Sequence, residues 1–263
     1  MDSDLVGRSE PQGTSARAMS GGPRYASLDD SHFLHLAPWL RLVRTLQMLR
    51  SHVRSGGRVL DVGCGDGTTM MHLGGNRVGV DVSMDVLKSA KARSGADVVL
   101  GSALALPFRD GSFDVVVCTE VLEHLDDMEG AIGQLAAVAK RDGTIHLTVP
   151  LASWYRLMLF RLLGIRPYYL SEEEHKREFS AVPVDRFSSV SSLLSSLERY
   201  GLRIEDVRGS YFFPDKMEGP LDEIVRGSTR LRAIAERLDA IANILPKMRY
   251  LGRYLALSCR KVM

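Results

Sequence analysis

Cysteine is scarce in this chain: Cys64, Cys118 and Cys259 are odd in number and widely separated in 263 residues. They form neither a disulfide framework nor a zinc-ligand pattern, and a reducing, cytosolic compartment is the simplest reading. A dominant charge sign is also missing. Lys plus Arg number 34 and Asp plus Glu 32, a formal charge of +2, so composition makes no general case for nucleic acid as a partner. No apolar run approaches the ~20 residues of a bilayer span; the longest, residues 151–165, is broken by Arg156 and Arg161. The opening residues show no basic-then-apolar signal pattern. Residues 1–30 hold five Ser, four Gly and two Pro, too polar to offset the entropy of ordering, and are expected to form a disordered tail. With 45% hydrophobic and 25% charged residues, the remainder suits one soluble domain over 31–263.

From Pro38 a helical period begins, with Leu40, Val43, Leu46 and Leu49 at three-residue steps, giving a helix expected over 38–54 and closed by Gly56-Gly57. Strand and helix signals then alternate. RVLDV (58–62), RVGVD (77–81), DVVLG (97–101), FDVVVCT (113–119) and GTIHLTV (143–149) read as strands, with helices expected at 68–73, before Gly95, and through Met128, Ala131, Ile132, Leu135 and Val138. Near-continuous apolar strands separated by helices signal a parallel sheet covered on both faces. After Pro150 the rhythm changes to an insertion over 151–180. It resumes with a helix whose face is Phe187, Val190, Leu194 and Leu197, then a sixth strand within 202–213. A long helix through Leu231, Ile234, Leu238, Ile241 and Leu245, within an excursion over 214–250, precedes a closing strand at 253–262. The expected fold is α/β: a Rossmann-like, doubly wound seven-stranded sheet, mostly parallel with an antiparallel last strand, under a helical cover.

The informative stretch is VLDVGCGDGTTM (59–70), a strand that runs through Gly63, Gly65 and Gly67 into a helix. Such glycines permit a tight turn and let a ligand approach the backbone, beside the free N–H groups of the helix start. Asp81 stands at the end of the second strand, eighteen residues after Gly63. A carboxylate there can accept from both hydroxyls of a ribose; its structural alternative is a helix N-cap. The ligand is then a dinucleotide or S-adenosylmethionine. The spacing is G-x-G-x-G rather than G-x-G-x-x-G, and Asp61 would put a carboxylate near the ligand, which suits a sulfonium or ammonium and opposes a phosphate.

With VGVDVS (78–83) and GSALALPFRDGSFDVVVCTEVLEHLDD (101–127), the chain resembles the class I S-adenosylmethionine-dependent methyltransferases of the type 11 group and is similar to the quinone-biosynthesis methyltransferases. The resemblance covers about 55–150, and EEHKREFS (173–180) is similar to a further segment of several members. It implies that Asp61, Gly63, Cys64, Gly65 and Gly67 surround the methionine part of the cofactor. Asp81 with Val82 would hold the ribose, Ser102, Ala103 and Leu104 lie by the adenine, and Thr119 and Glu120 close the methionine side. Members often carry an acidic residue where this chain has Ser102, a weaker acceptor for the adenine amino group.

Methyl transfer releases a neutral thioether, so the protein mainly aligns and desolvates the reactants. A base is needed only where the acceptor must lose a proton; His124, His175 and Glu120 are the candidates. For His124 the alternative is packing of the loop after the fourth strand, and for His175 a solvated charged loop. His146, alternating within a strand, reads as a satisfied core residue. EVLEH (120–124) lacks a histidine where an inverted zincin needs one, and no metal site is expected. The segment 151–165 is read as a lid, or alternatively as an interfacial helix giving peripheral membrane contact; either favours a small, apolar, lipid- or quinol-like acceptor. A catalytically silent cofactor-binding partner protein is the reading from a different class, and a nicotinamide oxidoreductase is a third that the loop spacing opposes.

Overall fold

In a computed structural model the described residues are 36–150, 190–210, 228–244 and 254–262. The expected tail (1–30), the insertion over 151–180 with His175, Phe187, and residues 214–227 and 245–250 of the expected excursion lie outside them. Helix α1 (Leu36–Leu49) is followed by β1 (Arg58–Val62), α2 (Thr68–Met71), β2 (Asn76–Asp81), α3 (Met84–Ser94), β3 (Asp97–Leu100) and β4 (Phe113–Thr119). A single 3₁₀ turn (Leu122–His124) leads to α4 (Met128–Val138), β5 (Ala139–Pro150), α5 (Val190–Arg199), β6 (Leu202–Ser210), α6 (Thr229–Ala242) and β7 (Tyr254–Lys261).

The seven strands form one sheet in the order β3-β2-β1-β4-β5-β7-β6. Strands β1 to β5 pair in parallel, while β7 runs antiparallel between β5 and β6. The fold is therefore the expected Rossmann-like mixed sheet. Alternate residues of β4 enter different clusters: Val116 and Cys118 pack with Ile132, Leu135 and Leu197, while Val115 and Val117 pack with Leu49 and Val59. Both faces of the central strand are thus covered, which is why its sequence is apolar throughout.

Local signals explain most boundaries. Ser83 caps α3 by accepting from Val86 N, and Gly95, left-handed at φ 67°, ends it. Asp127 caps α4. Three expectations are corrected. The first helix spans Leu36–Leu49, not 38–54, and its buried side includes Arg44 and Thr45 beside Leu40, Met48 and Leu49. Thr45 lies on His146, whose ring nitrogens contact Thr45 Oγ1 (3.2 Å) and Ser258 Oγ (3.1 Å). Arg44 pairs with buried Asp239 of α6. Second, α5 buries Leu193 and Leu197, with Leu194 only partly covered. Third, α6 ends at Ala242, short of the expected Leu245, and Ile234, Leu238 and Ile241 of its apolar period are exposed while Asp239 is buried. The Arg44–Asp239 ion pair ties this helix to α1, and Asn243 at its end ties it to Gly209 N and O of β6. Among the described residues, no helix is long and apolar enough to cross a membrane.

Candidate active site

The turn between β1 and α2 lies at the carboxyl edge of the sheet, beside the point where strand order reverses, the usual ligand position in open α/β sheets. The N–H groups of Gly63 and Cys64 donate to Val80 O at 2.8 and 3.1 Å. Gly65 N donates to Asp81 Oδ2 at 3.1 Å, and Ser83 N donates to Asp81 Oδ1 at 3.0 Å. Because Ser83 is the α3 cap, the N-cap alternative for Asp81 falls. Its carboxylate is instead fixed by two backbone amides, one on each oxygen. Each oxygen keeps acceptor capacity.

The three glycines of the turn, all at positive φ, serve different ends. A Cβ on Gly63 would run into Val121 Cγ2, and one on Gly67 would lie 2.9 Å from Ala90 Cα of α3. Those two permit close packing. A Cβ on Gly65 would meet nothing within 4 Å, so this glycine fronts open space in which another molecule can approach the backbone. Cys64, by contrast, turns its buried side chain to Met70, Leu87 and Ala90, leaving only its backbone to line the turn. Asp66 braces the turn through Arg93 and by accepting from Thr68 N.

Asp61, next to last in β1, is buried, and neither carboxylate oxygen has a hydrogen-bond partner. Burial, aided by the negative charge of Asp81, pushes its pKa up to about 8. An unpartnered buried carboxyl is costly, and a cationic ligand would restore its ionised form. The thiols have no such role. Burial raises Cys64 and Cys118, and takes Cys259 to about 12, so none supplies a thiolate nucleophile near neutrality.

Along the rim, Val82 (70% exposed) and Leu104 (41% exposed) are large apolar side chains left in solvent. Ser102 Oγ accepts from Leu104 N at 3.2 Å, so its hydroxyl already serves a local turn. Ala103 and Leu106 belong to the core cluster. Thr119 ends β4, and Glu120 follows in the left-handed region at φ 55°. Glu120 Oε1 accepts from Thr148 Oγ1 at 3.1 Å, and Oε2 lies 3.4 Å from Arg41 Nη1 of α1. Half-buried His124 closes the 3₁₀ turn, its Nε2 3.9 Å from Glu123 Oε1. His146, at the sheet centre, is held neutral by burial, its pKa lowered to about 3. Among the described residues no group of three or more His, Cys, Asp or Glu could hold a metal ion. Arg41 lies off the apolar period of α1, and no motif in the sequence places it beside Glu120.

This strand order, with a glycine turn and an acidic residue ending β2, is the architecture of enzymes that hold an adenosyl cofactor at the carboxyl edge. Comparison with known proteins makes the class specific. Residues 60–147 match the type 11 methyltransferase domain family. The mitochondrial ubiquinone biosynthesis O-methyltransferase of Schizosaccharomyces pombe is 31% identical over 209 residues, 73% of this chain and 72% of the relative. The enzyme of that name from Bordetella bronchiseptica is 31% identical over 169 residues, 61% of this chain and 68% of the relative. Among solved structures, a Bacillus halodurans protein described as a putative methyltransferase matches with TM-score 0.54 at 19% identity, covering 84% of this chain and 99% of that one. A magnesium protoporphyrin IX methyltransferase from Synechocystis with bound S-adenosylhomocysteine matches with TM-score 0.53 at 16% identity, over 84% and 82%. The chain belongs to the class I S-adenosylmethionine-dependent methyltransferases, and S-adenosylmethionine is its cofactor. The open face of Gly65 and the unpartnered Asp61 carboxyl fit a ligand that carries positive charge.

Proposed function

We propose that the protein transfers a methyl group to the oxygen of a small, largely apolar, quinol-like acceptor. The observation that carries the cofactor side is the pairing of two carboxylates around one open glycine: Asp61 buried and unpartnered, Asp81 fixed by the amides of Gly65 and Ser83. In this reading Asp81 accepts from the ribose hydroxyls, and exposed Val82 and Leu104 flank the adenine. Gly65 admits the cofactor to the backbone, with Gly63, Gly67 and the Cys64 backbone shaping the turn. Asp61 balances the positive charge of the methionine part. Ser102 and Ala103 act through the turn they build, and Thr119 and Glu120 border the methionine side. When bound, the cofactor supplies an activated methyl on a sulfonium, and the protein's part is alignment, exclusion of water and removal of the acceptor's proton. Glu120, part-exposed at the carboxyl edge, is the described group best placed for that proton; His124 and His175 are alternatives.

The oxygen acceptor is supported by the two O-methyltransferase relatives, and its apolar character by the oily segment 151–165. Peripheral membrane contact through that segment is the second part of the reading. Incubation with methyl-labelled S-adenosylmethionine and a panel of catechols and prenylated quinols, followed by identification of the labelled product, tests it. Label on a phenolic oxygen is expected. Label on nitrogen or carbon alone would overturn the O-methyl reading, and tight cofactor binding without transfer to any acceptor would favour the silent partner protein.

A further inference from the structure

One face of β5 is polar although the strand is buried. Thr144, His146 and Thr148 alternate along it, while Ile145, Leu147 and Val149 on the opposite face join the main core cluster. His146 is satisfied by Thr45 and Ser258. Thr148, only 1% exposed, is satisfied from the candidate site: its Oγ1 donates to Glu120 Oε1 at 3.1 Å, and its carbonyl accepts from Glu120 N at 3.1 Å. Valine would fill the same volume with no hydroxyl to bury, so packing alone does not call for threonine here. Glu120 follows β4 at φ 55°, a conformation that a non-glycine residue keeps only where its surroundings impose it. The next residue, Val121, lies against Gly63 of the glycine turn. Thr148 thus grips, by backbone and side chain together, a strained residue joined to the cofactor turn. The gripped carboxylate keeps 20% exposure, and its second oxygen faces Arg41 of α1 at 3.4 Å.

We propose that Thr148 is a positioning residue for methyl transfer: its hydroxyl holds the Glu120 carboxylate where it takes the acceptor's proton. The inference deepens the reading of Glu120 as the proton's destination and rests on it. As the acceptor's O–H bond breaks, the proton goes to the Glu120 carboxylate. The oxygen's electron pair forms the O–CH₃ bond, the C–S bond of the sulfonium breaks, and its electron pair stays on sulfur as a neutral thioether. Thr148 exchanges no proton in this step and acts through geometry alone. A glutamate side chain has three torsions to sample, and a displacement of about 1 Å at a reacting group can cost about a hundredfold in rate. The anchor itself is rigid, because Thr148 is paired on both sides, with Thr119 of β4 and Ala256 of β7. Its β-branched side chain has few rotamers to choose from.

The test measures kcat and KM for transfer from methyl-labelled S-adenosylmethionine to the best acceptor of the catechol and prenylated-quinol panel, using the full-length protein. Calorimetry with S-adenosylhomocysteine runs beside it. Thr148→Val keeps the shape and loses the donor, and should lower kcat about tenfold to a hundredfold. Its acceptor KM and S-adenosylhomocysteine affinity should stay within about twofold of the wild type. Thr148→Ala, which loses the donor from a smaller side chain, should behave alike. Thr148→Ser restores the hydroxyl and should recover kcat to within about threefold. Glu120→Gln should be at least as slow as Thr148→Val, and adding Thr148→Val to it should cost no more than about a further twofold, because both changes disable one group. Thr148→Val as fast as the wild type beside a slow Glu120→Gln would overturn this inference and leave the reading of Glu120 standing. So would a serine variant as slow as the valine one, losses that multiply in the double variant, or a tenfold loss of S-adenosylhomocysteine affinity in Thr148→Val, each of which makes Thr148 structural. Glu120→Gln as fast as the wild type, or a wild type that binds S-adenosylmethionine and methylates no acceptor, would strike the reading beneath and this inference with it.

Discussion

Replacing Asp61 by Asn should stabilise the protein while crippling it. Asp61 sits in a central strand with both oxygens buried and unpartnered, and its pKa is raised from 3.8 to about 8. Between those values the native protein keeps the proton and the unfolded chain releases it. Each pH unit in that window therefore favours unfolding by about 1.4 kcal/mol, and the native state loses stability as pH rises until about 8. At pH 7 the accumulated penalty is about 4 kcal/mol. Asn has the same shape and no titration, but leaves its own buried amide unpaired at a cost of about 1–3 kcal/mol. The net gain is about 2 kcal/mol at pH 7, or roughly 4–8 °C in Tm for a chain of this size; it should vanish near about pH 5, and below that the variant should be the less stable of the two. Cofactor binding should move the other way. A cationic ligand draws Asp61 into its ionised form, so binding releases a proton below pH 8 and affinity rises with pH towards that value. Thermal unfolding from pH 4 to 9, with calorimetry in buffers of different ionisation enthalpy, reads both effects. An Asn variant no more stable than the wild type at pH 7, or one that binds S-adenosylmethionine unchanged, would refute the reasoning.

The turn glycines should separate by assay. Gly65→Ala should lose cofactor affinity at a stability cost of only about 1 kcal/mol, whereas Gly63→Ala, aimed into Val121, should lower stability by about 3 kcal/mol or more in urea unfolding. Asp81→Ala should weaken S-adenosylmethionine about ten- to a hundred-fold by calorimetry, and retained affinity would remove Asp81 from the site. His146, neutral in the fold with a pKa near 3, should cost stability as pH falls below 6.5, where only the unfolded chain takes up its proton; His146→Gln should flatten that acid limb. Asp239→Asn should destabilise by about 3–5 kcal/mol by stranding buried Arg44, while Asp239→Leu with Arg44→Met should recover most of it.

The fold was legible because its strands are buried on both faces. A strand such as FDVVVCT has one interpretation wherever it occurs, and β4 is found at the residues that pattern marks. The glycine turn was legible for a similar reason, since its positions at φ 68°, 54° and 83° tolerate little else. What periodicity could not carry was polar burial. Arg44, Thr45 and Asp239 break the apolar face on which a helical pattern is judged, yet each is buried because a partner distant in sequence meets it: Asp239, His146 and Arg44 in turn. In α6 the apolar period marks a helix but not its buried side: Ile234 and Ile241 are exposed, and Asp239 is buried. At the site, motif order pointed to Asp61 and Asp81 but not to their difference. One carboxylate is satisfied by two amides and the other by nothing, a contrast that exists only once β1 and β2 lie side by side.

Helix α1 gathers these polar contacts within two turns. Arg41 reaches Glu120 at the end of β4, Arg44 reaches Asp239 on α6, and Thr45 reaches His146 at the centre of the sheet. Removing one partner of the buried Arg44–Asp239 pair costs about 3–5 kcal/mol and stranding His146 from Thr45 about 1–3 kcal/mol, while the Arg41–Glu120 pair is partly solvated. That inequality has a mechanical consequence. The inner contacts fix where the helix sits, and so set Arg41 beside Glu120. Weakening Arg44–Asp239 should therefore lower global stability by about 3–5 kcal/mol, whereas weakening Arg41–Glu120 should leave it within about 1 kcal/mol of the wild type.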